Sequence, residues 1–224
     1  MIPRTLLALE FSTDHRSVAV VRDGVILAET QQALGRSTRV FSLVTDALAA
    51  AGVPPAEVEA VALGIGPGSY TGIRLAISVA QGWSLANGTE RPLPVIPVSS
   101  FAVLAAATTG PAWLASDAQR DEWAVAEVAE GRLQGEVRLV PAAEVRTLAA
   151  SQRVVGAEIV AALGVGATAY PTAGRLGQLA AGLAAQSLSA VPPESLAPVY
   201  LRTAAFVKAP VSRSIPGITD DGAT

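Results

Sequence analysis

Apolar residues fall in short runs and then in helical stripes along this chain. Runs at 6–11 (LLALEF), 17–22 (SVAVVR) and 25–29 (VILAE) predict three strands. Asp23-Gly24 between the last two is a two-residue hairpin signal, because both residues tolerate the positive φ that such a turn needs. The spacing then changes. Val40, Phe41, Val44, Leu48 and Ala51 recur at steps of three and four and predict a helix over 37–51, with Ser37 as N-cap and Gly52 with Pro54-Pro55 as its stop. A strand at 59–64, a helix at 71–86 closed by Asn87-Gly88 and a strand at 93–98 follow.

The second half repeats this plan. LALE at 7–10 aligns with LASD at 114–117, so an acid closes the first strand each time, and Glu10 precedes Gly24 by the same interval as Asp117 precedes Gly131. Between them, 17–22 and 124–129 are both strand-like, and Glu130-Gly131 stands where Asp23-Gly24 stood. A helix near 142–150, a strand at 153–156 and a helix near 175–189 continue the order. The pattern predicts an internal duplication. Two α/β halves with a cleft at the ends of their first strands is the plan of the actin-like, sugar-kinase-like ATPases. The expected class is therefore α/β, an actin-like or ribonuclease H-like duplicated fold with domains at 1–103 and 104–206 and a tail at 207–224.

Composition narrows the chemistry. The 224 residues include no cysteine and one histidine, His15, which removes disulfides, thiolate metal sites, cysteine nucleophiles and paired-imidazole zinc sites. A net charge of −3 argues against a surface that grips nucleic acid by itself. Half the residues are hydrophobic and 16% charged, yet no run approaches the roughly 18 apolar residues of a membrane span. No signal peptide is read at the N-terminus, so the expected location is the cytoplasm. The apolar surplus must then line the core or a protein partner.

Three candidate sites stand out. Glu10 and Asp117, at the ends of equivalent strands, could hold a metal and activate water, which makes an ATPase or kinase the alternative reading. Neither acid is followed by the glycine that backbone phosphate binding calls for: Phe11-Ser12-Thr13 follows one and Ala118-Gln119-Arg120 the other. GIGPGSYTGIR at 64–74 lies between a strand and a helix, where free N–H groups could bind an anion. It fits neither the dinucleotide fingerprint nor a Walker loop, and the chain's one lysine is Lys208. The favoured reading is a tight turn in which Gly66 and Gly68 take unusual dihedrals and Ser69 or Thr71 caps the helix. Third, the helices at 37–51 and 71–86 carry apolar residues on two faces, more than packing on one sheet requires. A partner interface at Val40, Phe41, Val44, Leu48, Ile73, Ile77 and Ala80 would use that excess. No serine-histidine-acid set is present for a peptidase, and no catalytic, cofactor or metal residue is assigned.

The residues also resemble a family. LALEFST at 7–13, LGIGPGSYTGIRLAISVAQGWSLANG at 63–88, PVSSF at 97–101, SDAQRDEWAVA at 116–126 and PVYLR at 198–202 are similar, in order, to the hallmarks of the TsaB/YeaZ family. The resemblance implies a non-catalytic scaffold in the formation of N6-threonylcarbamoyladenosine in tRNA. Its implied partners are a TsaD-like catalytic subunit and a TsaE-like ATPase, with tRNA reached only through the complex and a homodimer when the chain is alone. It also implies pairing through the helices at 37–51 and 71–86. Two positions depart from the family pattern: Glu10-Phe11 stands where Asp-Thr is usual, and Arg36 precedes Ser37 where histidine is frequent.

Overall fold

A computed structural model describes residues 3–33, 40–86, 93–185, 195–199 and 201. Ser37, Asn87-Gly88, Lys208 and the predicted tail at 207–224 lie outside the described residues. The first half runs β1 (Thr5–Glu10), β2 (His15–Arg22), β3 (Val25–Ala33), α1 (Val40–Ala51), β4 (Ala60–Gly64), α2 (Tyr70–Ala86), β5 (Val95–Val98) and α3 (Ser100–Ala107). The second runs β6 (Ala112–Asp117), β7 (Glu122–Ala129), β8 (Arg132–Pro141), α4 (Ala142–Ser151), β9 (Val154–Gly156), α5 (Ile159–Leu163), β10 (Ala167–Thr168) and α6 (Ala173–Ala185).

The duplication is explicit in the strand order. The first sheet reads β3-β2-β1-β4-β5, and the second, taken from its far edge, reads β8-β7-β6-β9-β10. Each half opens with an antiparallel meander and continues with parallel strands. This is the expected duplicated α/β plan. Hairpin turns sit where the Asp-Gly and Glu-Gly signals placed them, with Asp23, Gly24, Glu130 and Gly131 all at positive φ.

Period-two alternation explains why β1 is buried along its whole length. Leu7 and Leu9 join a cluster with α1 and α2, while Leu6 and Ala8 face Leu176 and Ala180 of α6. A sheet covered on both faces needs no polar alternation, hence the unbroken apolar runs in β1 and β4. The second sheet is sandwiched likewise, with Phe101 and Leu104 of α3 on one face and Val145 and Ile159 on the other.

Two helices cross over. α3 follows the last strand of the first sheet but packs on the second, and α6, at the corresponding point of the second half, returns to the first. The predicted boundary at 103/104 falls within α3. β8, α5 and β10 were not predicted. β8 is an irregularly paired edge strand interrupted by Gly135, so its alternation is weak, and α5 and β10 are too short to carry a period.

Candidate functional site

The loop joining β4 to α2 is where the two halves meet. The turn reading describes its geometry: Gly66 and Gly68 have φ of 93° and 150°, values that a side-chain-bearing residue would strain to adopt. Ser69 Oγ accepts from Gly72 N at 3.2 Å, so Ser69 rather than Thr71 is the hydroxyl that serves the first turn of α2. Ser69 N donates to Ser12 O at 2.7 Å, which stitches this loop to the segment after β1.

Glu10 does not face the cleft. Its carboxyl is fully buried, with Oε1 accepting from Ser12 N at 2.9 Å and Oε2 from Ser100 Oγ at 3.0 Å. It lies directly over Gly64, where an added Cβ would come within 2.2 Å of Oε2. Burial pushes its pKa above the ordinary carboxylate value, against the pull of the Ser12 and Ser100 hydrogen bonds. Its predicted counterpart, Asp117, is half-buried, accepts from Gln119 N at 2.7 Å and lines the cleft. Equivalent positions in the two halves thus point to different places, and the pair of acids does not converge.

The cleft itself has a volume of about 490 Å³ and is bordered by Gly68 to Thr71, Ser116 to Gln119, Asp14 and Glu158. Among the described residues, Glu158 Oε2 is buried without a hydrogen-bond partner. Burial first, and then the nearby charges of Asp14 and Asp117, push Glu158 up to about 6. An apolar recess lined by Tyr70, Ile73, Leu139, Val199 and Leu201 adjoins it. Three carboxylates at one cleft repel the phosphates of a nucleotide. Among the described residues no group of three metal-ligating side chains converges. The carboxylates of Asp14, Asp117 and Glu158 make this cleft a poor host for the phosphates of a nucleotide. Sequence reasoning missed Glu158, although the duplication offered a signal: it follows β9 and Gly156 just as Gly66 follows β4 and Gly64. His15, the chain's one histidine, opens β2 and stacks on Tyr170, with ring centroids 3.8 Å apart.

The predicted interface residues divide sharply. Val40, Val44, Leu48, Ile73, Ile77 and Ala80 are at most 7% exposed and belong to the core cluster beneath α1 and α2, so their burial is already spent on this chain's own sheet. Phe41 is 76% exposed. Both helices cover the same face of the first sheet, and their outward sides carry Phe41, Tyr70 and Leu85 with Thr45, Thr71, Arg74 and Ser78. Arg74 lies over the Tyr70 ring, 5.4 Å from its centroid, and its Nη1 donates to Tyr70 Oη at 3.2 Å. The surplus apolar surface inferred from sequence is thus mostly core, with a short aromatic remainder outside.

Comparison with known proteins gives a consistent picture. The family model described as TsaD, tRNA N6-adenosine threonylcarbamoyltransferase, matches residues 24–200. The tRNA threonylcarbamoyladenosine biosynthesis protein TsaB of Escherichia coli is 39% identical over 101 residues, 45% of this chain and 42% of that protein. The protein of the same name from Haemophilus influenzae is 40% identical over 104 residues, 46% of this chain and 42% of that one. The matched stretch therefore spans less than half the length of these curated relatives. The solved structure of YeaZ from Pseudomonas aeruginosa superposes with a TM-score of 0.71 at 33% identity, covering 88% of this chain and all of that one.

Proposed function

Because this chain belongs to the TsaB (YeaZ) family, within the wider group that the TsaD model describes, we propose that it serves tRNA threonylcarbamoyladenosine biosynthesis as a supporting subunit with no chemistry of its own. It binds and stabilises a TsaD-type transferase, and a TsaE-type ATPase joins the pair. In the absence of that partner the same face associates with a second copy of the chain. Contact with tRNA is made through the complex, as suits a net charge of −3. Among the described residues no helix is long and apolar enough to cross a membrane, which is compatible with work in the cytoplasm.

The observation that carries this reading is the outward side of α1 and α2, where Phe41, Tyr70 and Leu85 are 76%, 51% and 62% exposed. Aromatic side chains left in water on neighbouring helices are the kind of anchor that interfaces bury. The buried Glu10 and the carboxylate-lined cleft speak against the ATPase or kinase alternative. The reading is tested by reconstituting the modification from purified partners with and without this chain. Product should require it, and undiminished product in its absence refutes the proposal. Calorimetry with Mg-ATP on the isolated chain tests the alternative, which micromolar binding would restore.

A further inference from the structure

The buried acid at the end of β1 has a role that the scaffold reading leaves unexplained. Ser100 Oγ donates to Glu10 Oε2 at 3.0 Å and also accepts from Gly66 N at 3.1 Å. Ser100 N donates to Gly66 O at 2.8 Å, and Ser99 Oγ donates to the same carbonyl at 3.3 Å. Glu10 therefore reaches the β4–α2 loop through one intermediary. On its other side it accepts from Ser12 N, and Ser12 O in turn accepts from Ser69 N, the residue that caps α2. Both routes from one carboxyl end on the segment at 66–69 that starts α2. The carboxyl has nowhere else to go, since it is fully buried and pressed against Gly64. Ser99 and Ser100 open α3, the helix that packs on the second sheet, so the same knot ties the loop to the other half.

The geometry points to Glu10 as a positioning residue for the outward face of α2: through Ser100 and Ser12 it fixes the loop at 66–69 and so sets how Tyr70 and Arg74 are presented. This inference rests on the proposed use of that face for partner binding. Replacing the acid alone by an apolar group of its shape leaves Ser12 N and the Ser100 hydroxyl without their buried acceptor, which costs stability whatever the role of Glu10, so stability and pairing have to be read separately. A positioning residue needs its acceptor and donor geometry.

Two substitutions separate these roles. Glu10→Gln keeps the shape, an acceptor for Ser12 N and a donor that Ser100 Oγ can take; Glu10→Met keeps the shape and loses both bonds. Ser100→Ala cuts the route from the other side, and Val145→Ala, in the fully buried cluster of the second half, is the stability control. Pairing of the full chain with the purified TsaD subunit of the same organism is measured by calorimetry, with amide hydrogen exchange on each free variant. Glu10→Met and Ser100→Ala should each weaken pairing roughly tenfold, the loss expected for one or two buried hydrogen bonds, with the double variant no worse than the weaker single. Glu10→Gln should pair like the unmodified chain. The amides of Gly66 and Ser69 should exchange faster in Glu10→Met and Ser100→Ala and unchanged in Glu10→Gln. Unaltered pairing in Glu10→Met, or a loss no greater than in Val145→Ala at equal thermal stability, overturns the inference. If the unmodified chain itself fails to pair, the partner reading falls, and the exchange data alone decide whether Glu10 holds the loop: unchanged Gly66 and Ser69 exchange in Glu10→Met then overturns it.

Discussion

Substituting Phe41 and Ile77, both assigned to one interface from sequence, should now give opposite results. Ile77 is 7% exposed within the core under α2, so Ile77→Ala removes buried carbon and leaves a cavity, a cost of about 2–5 kcal/mol. For a chain of 224 residues that lowers the unfolding midpoint by about 5–15 °C. Phe41 is 76% exposed, so only about a quarter of its burial energy is at stake. Phe41→Asp should then cost about 0.5 kcal/mol of stability and about 1–2 °C. At an interface the order reverses: an exposed aromatic that becomes buried on association is the anchor type, and its loss should weaken pairing about thirtyfold or more. Thermal unfolding of each isolated variant gives the first quantity and calorimetric titration with the TsaD subunit the second. A Phe41→Asp chain that melts as early as Ile77→Ala refutes the burial argument. One that melts normally and pairs normally removes Phe41 from the interface.

Three further outcomes follow from the site. Burial makes the folded chain hold the Glu10 proton more tightly than the unfolded chain does, so Glu10 withdraws stability as pH rises above its ordinary value of 4.5. Glu10→Gln should be more stable than the parent at pH 7 and show a flatter profile above pH 4.5 in urea unfolding; parallel profiles contradict this. Gly64→Ala puts a methyl group 2.2 Å from Glu10 Oε2 and should cost about 1–3 kcal/mol by overpacking, much of it recovered in combination with Glu10→Ala; additive losses in the double-variant cycle count against the contact. Glu158 should titrate near pH 6 by carboxyl NMR, and Asp117→Asn should lower that midpoint by removing a neighbouring negative charge; an unmoved midpoint removes Asp117 from the causes of the shift.

Much of the architecture was legible along the chain because it is written in local periods and turn residues. The meander around Asp23-Gly24, its echo around Glu130-Gly131, the helical steps from Val40 to Ala51 and the glycines at 66 and 68 each follow from propensity and patterning, and each element is found in place. The duplication too was determined by the sequence, since two halves with the same order of periods can bury their sheets in the same way.

What tertiary structure decided is where those side chains point. A helical stripe records that a face is apolar without recording what covers it, and six of seven residues read as interface turned out to face this chain's own first sheet. Nothing local told Glu10 to turn inward toward Ser100 while Asp117 stays at the cleft, because the hydroxyl that receives it arrives from 90 residues away. The duplication could have pointed to the position of Glu158, but its proton affinity comes from long-range geometry, since burial and the charges of Asp14 and Asp117 raise it. Periodicity is a property of neighbours in sequence and fixes elements; burial, pairing and proton affinity are properties of neighbours in space and exist once the two halves close on each other.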